Sequence, residues 1–515
     1  MSAAAIPANA GARVLALGSV LLAVTLVLAI VTGGNLGAVL APAAVVLLVW
    51  LALRLPMRTL SLTLVFLALV TESQGDSWDR WRSPFYTIGI LLHHNLNLTV
   101  PIAALRFTGL DLLIAVLFGL AAFRRARRDP LEAGPRTSSP APLRGGALLT
   151  LGTLGFLVAI GKATGGDLSQ VYWQTHQFAL VPIVFLLLET SLRGPVDLRA
   201  VGVTYLAAAL VKAFVAIYLS LAVRMADGTP LPCMTTHGDS VLFVGACAIV
   251  IANFVERPVK SQLVRMTVFL LPLLLAMVVN NRRLVWVELA GLLLCFYLLN
   301  PMTRLKRKLT SGAVMSLPLL ALYLWVGWNS GSKVFRPVQT VKSLVVSKAD
   351  RSTEERDVEN FNLLYTMRQH PLFGTGYGHE YIEKVKGDDI SAIFPQYRYI
   401  PHNSLLGIWA FAGTLGFTGL WMLVALSVFF AARAYRASAS PPFRAAALVC
   451  IGMVLVYMIQ CYGDMGFVSW TASFTLALAI AVAGKLAVGA GGWPARRRAQ
   501  IAAPSLSLLP AEPLT

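Results

Sequence analysis

Histidine and arginine, the side chains suited to proton transfer and phosphate binding, are concentrated in a few segments of this sequence. Histidine transfers protons near neutral pH, and the planar guanidinium of arginine binds phosphate oxygens in pairs. If the N-terminus is cytoplasmic, the apolar runs described below place every histidine on the opposite side of a membrane: His93, His94, His176, His237, His370, His379 and His402. This one-sided distribution indicates an acid–base site on the extracytoplasmic side.

A pair of arginines, Arg282-Arg283, follows Asn280-Asn281 at the turn between two apolar runs. An interfacial anchor is the ordinary interpretation of such a pair. Basic residues on the outer side of a membrane, however, oppose the usual distribution of charge, which favours a second interpretation. Guanidinium groups at this position would stabilise the negative charge that develops on a departing diphosphate.

Acidic residues in the two long outer segments do not form a recognisable metal site. Asp76 and Asp79 lie in the first segment and Asp388-Asp389 in the second, and neither set has the Asp-x-Asp spacing. We interpret them as solvated loop residues. Because the sequence also lacks a glycine-rich phosphate loop, we expect catalysis without a metal ion, a nucleotide or another cofactor.

The elements that position these side chains are predicted to be membrane helices. Of the residues, 57% are hydrophobic and 13% are charged, and apolar runs recur at the length needed to cross a bilayer. The net charge of +19 does not indicate nucleic-acid binding, because cytoplasmic loops of membrane proteins are rich in Lys and Arg. We predict an all-α polytopic integral membrane protein with about 14 helices and one large extracytoplasmic loop.

The predicted spans form two groups on either side of that loop. The first group, within 1–328, comprises 13–32, 36–54, 57–72, 103–123, 145–162, 176–192, 200–223, 239–255, 264–280, 283–300 and 311–328. The second group, within 413–490, comprises 413–433, 444–461 and 467–489. The loop at 329–412 is the expected catalytic segment, since loops of this length need a function, and 354–369 is predicted to form a helix in it. An outer segment (73–102), a cytoplasmic linker (124–145) and a tail (491–515) complete the arrangement, with both termini cytoplasmic.

Three charged residues inside predicted spans carry predictions that remain open. Lys212 and Asp111 lie near the middle of their spans, where charges are costly. They either form an ion pair with each other or line a substrate path. Glu288 follows Arg283 by about one helical turn and is expected to orient that arginine.

The five cysteines show no spacing typical of a metal site. Three of them lie inside apolar runs and are interpreted as small packing residues. Whether Cys233 and Cys461, near the outer face, form a disulfide is left open by the sequence.

The long loop carries motifs that resemble those of the O-antigen ligase and polymerase superfamily. Pro401-His402-Asn403-Ser404, followed by Gly413-Thr414-Leu415-Gly416, is similar to the family's His-Asn, nine residues, Gly-x-x-Gly signature. Arg356 and, fifteen residues later, Pro371 to Gly378 are similar to its Arg, helix, Pro-Leu-x-Gly-x-Gly block. Arg282-Arg283 falls where the family has an arginine at an outer helix end. These motifs cover about 282–420.

The resemblance implies a membrane glycosyltransferase of the GT-C type at the periplasmic face of the bacterial inner membrane. Such an enzyme takes glycan from an undecaprenyl-diphosphate carrier, without a metal ion or nucleotide sugar, and inverts the anomeric carbon. Polymerases pass the glycan to the next lipid-linked repeat unit, and ligases pass it to lipid A core. We favour a polymerase, which would work with a polysaccharide flippase and a chain-length regulator. The ligase is the alternative, and a lipid-linked glycan transporter or flippase is a further one.

The resemblance also implies roles for individual residues. His402 would be the catalytic histidine, which deprotonates or orients the acceptor hydroxyl. Arg282 or Arg283, together with Arg356, would bind the donor diphosphate. Three further residues are candidates for the acceptor side: His237, His379 and Asn403.

The sequence departs from the family pattern at two places. Asn360 stands where the family usually has an aromatic residue, four positions after Arg356. The usual Ser-Arg-Gly reads Asn281-Arg282-Arg283. Which arginine of the pair contacts phosphate is therefore left open.

Overall fold

In the computed structural model, the described part of the chain is almost entirely helical. It comprises residues 19–27, 30, 43, 46–47, 49–71, 84–96, 107–223, 228–229, 231, 233–335, 338–339, 342, 351–392 and 394–495. Within these ranges there is no β-strand, and Asn95 and Thr108 form an isolated bridge. The all-α prediction is confirmed for this part of the chain.

The helices are labelled here in chain order. They are α1 Met57–Val70, α2 Tyr86–His93, α3 Gly109–Arg127, α4 Ala141–Ala163, α5 Leu168–Ser191, α6 Leu198–Ala222, α7 Asp239–Glu256, α8 Lys260–Asn280, α9 Leu284–Leu299, α10 Arg304–Gly327, α11 Arg351–Gln369, α12 Ser404–Ala437, α13 Pro441–Gly463 and α14 Trp470–Gly489. Short 3-10 helices occur at Pro130–Glu132, Pro195–Asp197, Lys333–Phe335 and Gly466–Val468.

Among the described residues, nine helices are long and apolar enough to cross a membrane. These are α4 to α8, α10 and α12 to α14, while α1 and α9 are apolar but shorter. The predicted spans at 13–32 and 36–54 lie largely outside the described residues, and 103–123 corresponds to α3, which carries several charges. A multi-pass membrane protein is confirmed, whereas the full set of about 14 spans remains a prediction.

The chain divides into two compact units. Unit 1 comprises 1–60 and 120–134, and there the buried Arg124 donates to the carbonyls of Ala52 and Leu55 and pairs with Glu132 at 3.2 Å. Unit 2 comprises 61–119 and 135–515 and contains all the candidate site residues. Within unit 2, α7, α13 and α14 are the most deeply buried helices, and 89% of the apolar window of α14 is buried. Alanine and glycine dominate α14, so its neighbours approach closely.

The helix α12 begins nine residues earlier than the predicted span at 413–433. The side chain of Asn403 accepts a hydrogen bond from the backbone N–H of Leu406 at 3.1 Å and so caps its first turn. The boundary at residue 412 between the loop and the membrane span stays a prediction. The predicted helix at 354–369 is confirmed, since α11 covers it.

The two glycine-containing motifs of the sequence pack directly against each other. Gly413 interrupts α12 with φ 62° and ψ −174°, so the carbonyls of 410–411 are free to accept hydrogen bonds from the N–H groups of 375–376 at 3.3 and 2.9 Å. Thr414 and Leu415 donate in return to 371–372 at 2.9 and 3.1 Å. A Cβ on Gly413 would lie 2.3 Å from Leu372 backbone, and one on Gly374 would lie 2.2 Å from Phe411 backbone. Only glycine permits both the positive φ and this approach.

One of the two alternatives for Lys212 and Asp111, an ion pair between them, is wrong. Lys212 does not pair with Asp111; its ammonium lies 3.1 Å from Asp239, while Asp111 lies 2.9 Å from His176. Both carboxylates belong to residues at helix N-termini, where they also accept local hydrogen bonds. The partners could not be read from the sequence because they depend on which helices are neighbours.

The prediction that Glu288 orients Arg283 is also wrong. Glu288 is fully buried, and neither of its carboxylate oxygens has a hydrogen-bond partner among the described residues. All five cysteines lie in the described part of the chain and are free thiols, including Cys233 and Cys461.

Candidate functional site

His402 is held by a carboxylate of the loop helix α11. Glu359 accepts a hydrogen bond from the backbone N–H of His402 at 3.0 Å and lies 3.3 Å from its Nδ1. The Glu359 side chain is 9% exposed, whereas that of His402 is 32% exposed. With the Nδ1 proton directed to Glu359, the neutral imidazole keeps a lone pair on Nε2, which is the arrangement of a general base.

Asn403 and Asn360, which follow His402 and Glu359 in the chain, form a second contact between α11 and the start of α12. Asn403 is buried and donates from its amide to the side chain of Asn360 at 3.0 Å, while its oxygen caps α12. The place of the usual aromatic is thus taken by a polar contact. Asn403 contributes to positioning His402, and it does not line either cavity described below.

His237 lies between an arginine and an aspartate. Its Nδ1 pairs with Asp464, and its Nε2 lies 2.5 Å from a terminal nitrogen of Arg282. Arg282 also donates to the carbonyl of Thr235 at 3.3 Å. Asn280, at the end of α8, accepts hydrogen bonds from the backbone of Met234 and Thr235 at 3.1 and 2.8 Å. The Asn-Asn-Arg turn therefore fixes both the loop that carries His237 and the arginine beside it.

Asp464 follows α13 and is buried against positive groups. Burial alone would raise its pKa, but the hydrogen bond and charge of His237, the backbone N–H of Met465 and the charge of Arg356 lower the pKa to about 2. Asp464 is therefore ionised at neutral pH. It balances part of the positive charge of Arg356.

The first of two small cavities, which we call the histidine cavity, has a volume of about 230 Å³. His237, Asp464 and Gln460 form part of its wall, and the indole of Trp470 contacts the ring of His93 edge-on at a centroid distance of 4.9 Å. The complete lining is Thr71, His93, Thr236, His237, Gly238, Arg356, His402, Gln460, Asp464, Met465, Val468, Ser469, Trp470 and Thr471.

The neutral state of His93 makes it a hydrogen-bond acceptor in this cavity. Burial, followed by the charge of Lys212, lowers the pKa of His93 to about 3. The hydroxyl of Thr71 donates to the carbonyl of Leu67 at 2.7 Å, so it accepts from Nε2 of His93 at 2.8 Å. This assigns the proton to Nε2, and Nδ1 is buried with no partner among the described residues.

The second cavity, which we call the acidic cavity, has a volume of about 210 Å³. Carboxylates dominate its polar lining, and the aromatic rings of Tyr381 and Tyr397 complete it. Glu383 is paired with Arg398 at 3.1 Å. Asn362 of α11 accepts from the backbone of 384–385 at 2.9 Å and thereby holds the opposite wall in place. The complete lining is Glu355, Arg356, Val358, Glu359, Asn362, Tyr381, Glu383, Gly387, Asp388, Ile390, Tyr397 and His402.

Arg356 and His402 line both cavities. Arg356 is half-buried, and within the described residues its guanidinium takes part in no hydrogen bond or ion pair. A guanidinium that is partly withdrawn from water and has all its donors available is suited to binding an anion. The base of His402 and the donors of Arg356 are therefore presented to the same space.

The structure thus brings together Arg356, His402, His237 and Arg282, four of the residues singled out from the sequence. Arg283 starts α9, is exposed and lines neither cavity. His379 is also apart: its Nε2 lies 2.8 Å from the hydroxyl of Thr164 at the end of α4, and its carbonyl accepts from Gln174. These contacts join the loop to α4 and α5.

Two carboxylates of the site were not singled out from the sequence. Glu359 lies three residues after Arg356 on α11, so the helical spacing of Arg-x-x-Glu was the available signal. Asp464 lies in a short connection, Asp464-Met465-Gly466, that shows no motif. Among the described residues, no group of three or more His, Cys, Asp or Glu side chains is placed to hold a metal ion.

Residues 268–421 match the family model described as O-antigen ligase. The match begins within α8 and ends within α12, so it contains Arg282, Arg356 and His402 together with both glycine motifs. His237 and Asp464 lie outside it. No curated protein sequence matches the chain. The superfamily assignment that the motifs indicated is confirmed.

Proposed function

Because this chain carries the domain of the O-antigen ligase and polymerase superfamily at 268–421, we propose that it is a membrane glycosyltransferase of the GT-C type. It moves glycan from an undecaprenyl-diphosphate donor to a glycan acceptor at the periplasmic face of the inner membrane. The single observation that carries this proposal is the pair of cavities that share Arg356 and His402. One cavity is suited to an anionic leaving group and the other to a polyhydroxylated acceptor.

The donor diphosphate is placed in the histidine cavity. Arg356 supplies guanidinium donors there, and Arg282 adds positive charge from behind His237. Both stabilise the negative charge that develops as the carbon–oxygen bond breaks. Asp464 holds His237 rather than opposing the phosphate, since its carboxylate pairs with His237 and accepts a hydrogen bond from the backbone N–H of Met465. Neither arginine of the pair lines a cavity. Arg282 is proposed as the phosphate ligand because its guanidinium contacts His237 of the cavity wall, whereas Arg283 is exposed.

The acceptor is placed in the acidic cavity, where carboxylates accept hydrogen bonds from sugar hydroxyls and the tyrosine rings cover its apolar faces. Nε2 of His402 takes the proton of the attacking hydroxyl as its oxygen forms the new bond to the anomeric carbon. The electron pair of the broken bond leaves with the diphosphate oxygen. Attack from the side opposite the leaving group inverts the configuration at that carbon. No step requires a metal ion.

The proposal is tested with purified protein, a lipid-diphosphate-linked glycan and an acceptor, by measuring transfer and release of the lipid diphosphate. His402→Ala is expected to lower the transfer rate by roughly 10²- to 10⁴-fold, the usual contribution of a general base. His370→Ala is the matched control, because His370 is exposed on the same loop and lines neither cavity. Unimpaired transfer by the His402 variant would reject the mechanism.

A polymerase is proposed over a ligase because the chain has a large loop and many apolar segments. The two activities are separated by the acceptor: a polymerase extends a second lipid-linked repeat unit, and a ligase uses lipid A core. Offering both acceptors to the same preparation distinguishes them. A flippase would instead move the donor across vesicle membranes with no transfer, and that result would exclude both enzymes.

A further inference from the structure

A third cavity, larger than the histidine and acidic cavities, lies away from the candidate site. Its volume is about 410 Å³, and it is formed between α6, α7, α8, α13 and α14. None of the residues proposed for catalysis lines it. Its walls are built mainly from Leu, Val, Ile, Met and Phe side chains, and we call it the apolar cavity.

Apart from Tyr205, whose hydroxyl bonds to that of Thr475, and the thiol of Cys450, the polar residues of the apolar cavity come from one end of their helices. Arg199 is the second residue of α6, Gln262 and Arg265 lie in the first two turns of α8, and Asn253 lies in the last turn of α7. Away from this polar end, the cavity wall formed by α13 extends as far as Met453, twelve residues into that helix. At 1.5 Å per residue, the apolar wall extends about 18 Å from the start of that helix.

The two arginines at the polar end are available to a ligand. Arg199 and Arg265 are exposed, and neither guanidinium has a hydrogen bond or ion pair within the described residues. By contrast, Arg444, at the same end of α13, is fully engaged with Glu256 and Tyr435. An apolar space with free guanidinium groups at one end matches an amphiphile with an anionic headgroup and a hydrocarbon chain.

From this gradient of charge we infer that the apolar cavity binds one anionic diacyl phospholipid of the surrounding bilayer. Arg199 and Arg265 would hold the phosphate of the headgroup, and an acyl chain would lie along Phe269 and Met453. Apolar cavities exclude water and accept apolar ligands, and basic pockets between membrane helices select anionic headgroups. This site is independent of the proposed glycosyl transfer.

The test measures binding of phosphatidylglycerol and phosphatidylcholine to the delipidated full-length protein in neutral detergent, by native mass spectrometry. Wild type is expected to bind phosphatidylglycerol about twentyfold more tightly, since each arginine contributes about fivefold. The double variant R199Q/R265Q is expected to lose this preference. Its matched control is R257Q/K260Q, because Arg257 and Lys260 are exposed at the same end but do not line the cavity.

A second pair of variants tests the acyl-chain part of the site without removing charge. Gly202 lines the cavity, and a Cβ there would meet no atom within 4 Å. Gly202→Leu should therefore fill the cavity without a clash and weaken binding of both phospholipids by about tenfold. Gly155→Leu is its control, because Gly155 of α4 is equally unobstructed but lies elsewhere.

Four results would overturn the proposal. The first is equal binding of the two phospholipids by wild type, and the second is the same loss of preference in R257Q/K260Q as in R199Q/R265Q. The third is displacement of phosphatidylglycerol by an equimolar amount of undecaprenyl phosphate, which would identify the carrier lipid as the occupant. Unchanged binding by Gly202→Leu would likewise exclude the cavity as the site.

Discussion

The two ends of α13 use charged side chains in different ways. Near its first turn, Arg444 donates to Glu256 at 2.7 Å and to the hydroxyl of Tyr435 at 2.8 Å, so the charges satisfy one another. Beyond its last turn, Asp464 engages His237 beside a cavity, and Arg356 nearby has no partner among the described residues. The Arg444–Glu256 ion pair stabilises the packing of α13 against its neighbours. The arrangement beyond the last turn leaves donors available, which is what distinguishes a binding site from a structural ion pair.

Apart from the loss of His402 itself, removal of Arg356 should have the largest effect on catalysis. Arg356→Gln is expected to lower kcat for glycan transfer by roughly 10²- to 10³-fold, because an uncompensated charge on the departing diphosphate raises the barrier. Transfer is measured with a lipid-diphosphate-linked glycan. Arg368→Gln, an exposed arginine of the same helix, is the control and should retain full turnover. Equal activity of the two variants would show that Arg356 does not bind the leaving group.

A smaller loss of activity is expected when Glu359, the hydrogen-bond partner of His402, is replaced. Glu359→Gln removes the carboxylate that orients the imidazole, and kcat should fall by about ten- to a hundredfold while KM for the acceptor changes little. Glu354→Gln is the control, because Glu354 is exposed on the same helix. If KM rose and kcat stayed constant, Glu359 would contact the acceptor instead of positioning the base.

At the end of α13 that carries Arg444, a substitution is expected to affect stability alone. Arg444→Gln leaves Glu256, 6% exposed, without its charged partner, which should destabilise the fold by about 3 kcal/mol. The thermal midpoint should fall, while transfer per folded molecule stays the same. A selective loss of kcat at unchanged Tm would contradict the division between the two ends.

The smallest effect concerns the pH dependence of stability. Because the pKa of Asp464 is lowered from 3.8 to about 2 in the folded protein, its ionised form stabilises the fold above pH 3.8, and this contribution is lost as the pH falls through 2. It amounts to roughly 2 kcal/mol. Asp464→Asn should therefore be less stable than wild type at pH 6, and the difference in Tm should shrink as the pH approaches 2. A constant difference would contradict the lowered pKa.

The sequence was informative where function and backbone geometry restrict residue type. Motif spacing singled out His402, Arg356 and the pair Arg282-Arg283 as candidates. It also singled out Gly374 and Gly413, because only glycine fits that backbone contact. It could not identify the contacts between elements distant in the chain. His402 and Glu359 are 43 residues apart.

Asp464 and Lys212 also depend on contacts between elements that are distant in the chain, which the sequence does not reveal. Asp464 has no local signal, since its role depends on α13 ending beside the loop of His237. The ion pair of Lys212 with Asp111, one of two alternatives, was wrong for the same reason: hydropathy indicates how many helices cross, whereas their neighbours are decided by packing.

The backbone hydrogen bonds between 371–376 and 410–415 have a consequence for biosynthesis. Chains are made from the N-terminus, and each part folds as it emerges, so the loop that bears Arg356 has no docking partner until α12 has been translated. Asp464 and Trp470, which complete the histidine cavity, emerge later still. Catalytic competence is therefore acquired only with the final helices, and a nascent or prematurely terminated chain would contain His402 without the wall that faces it.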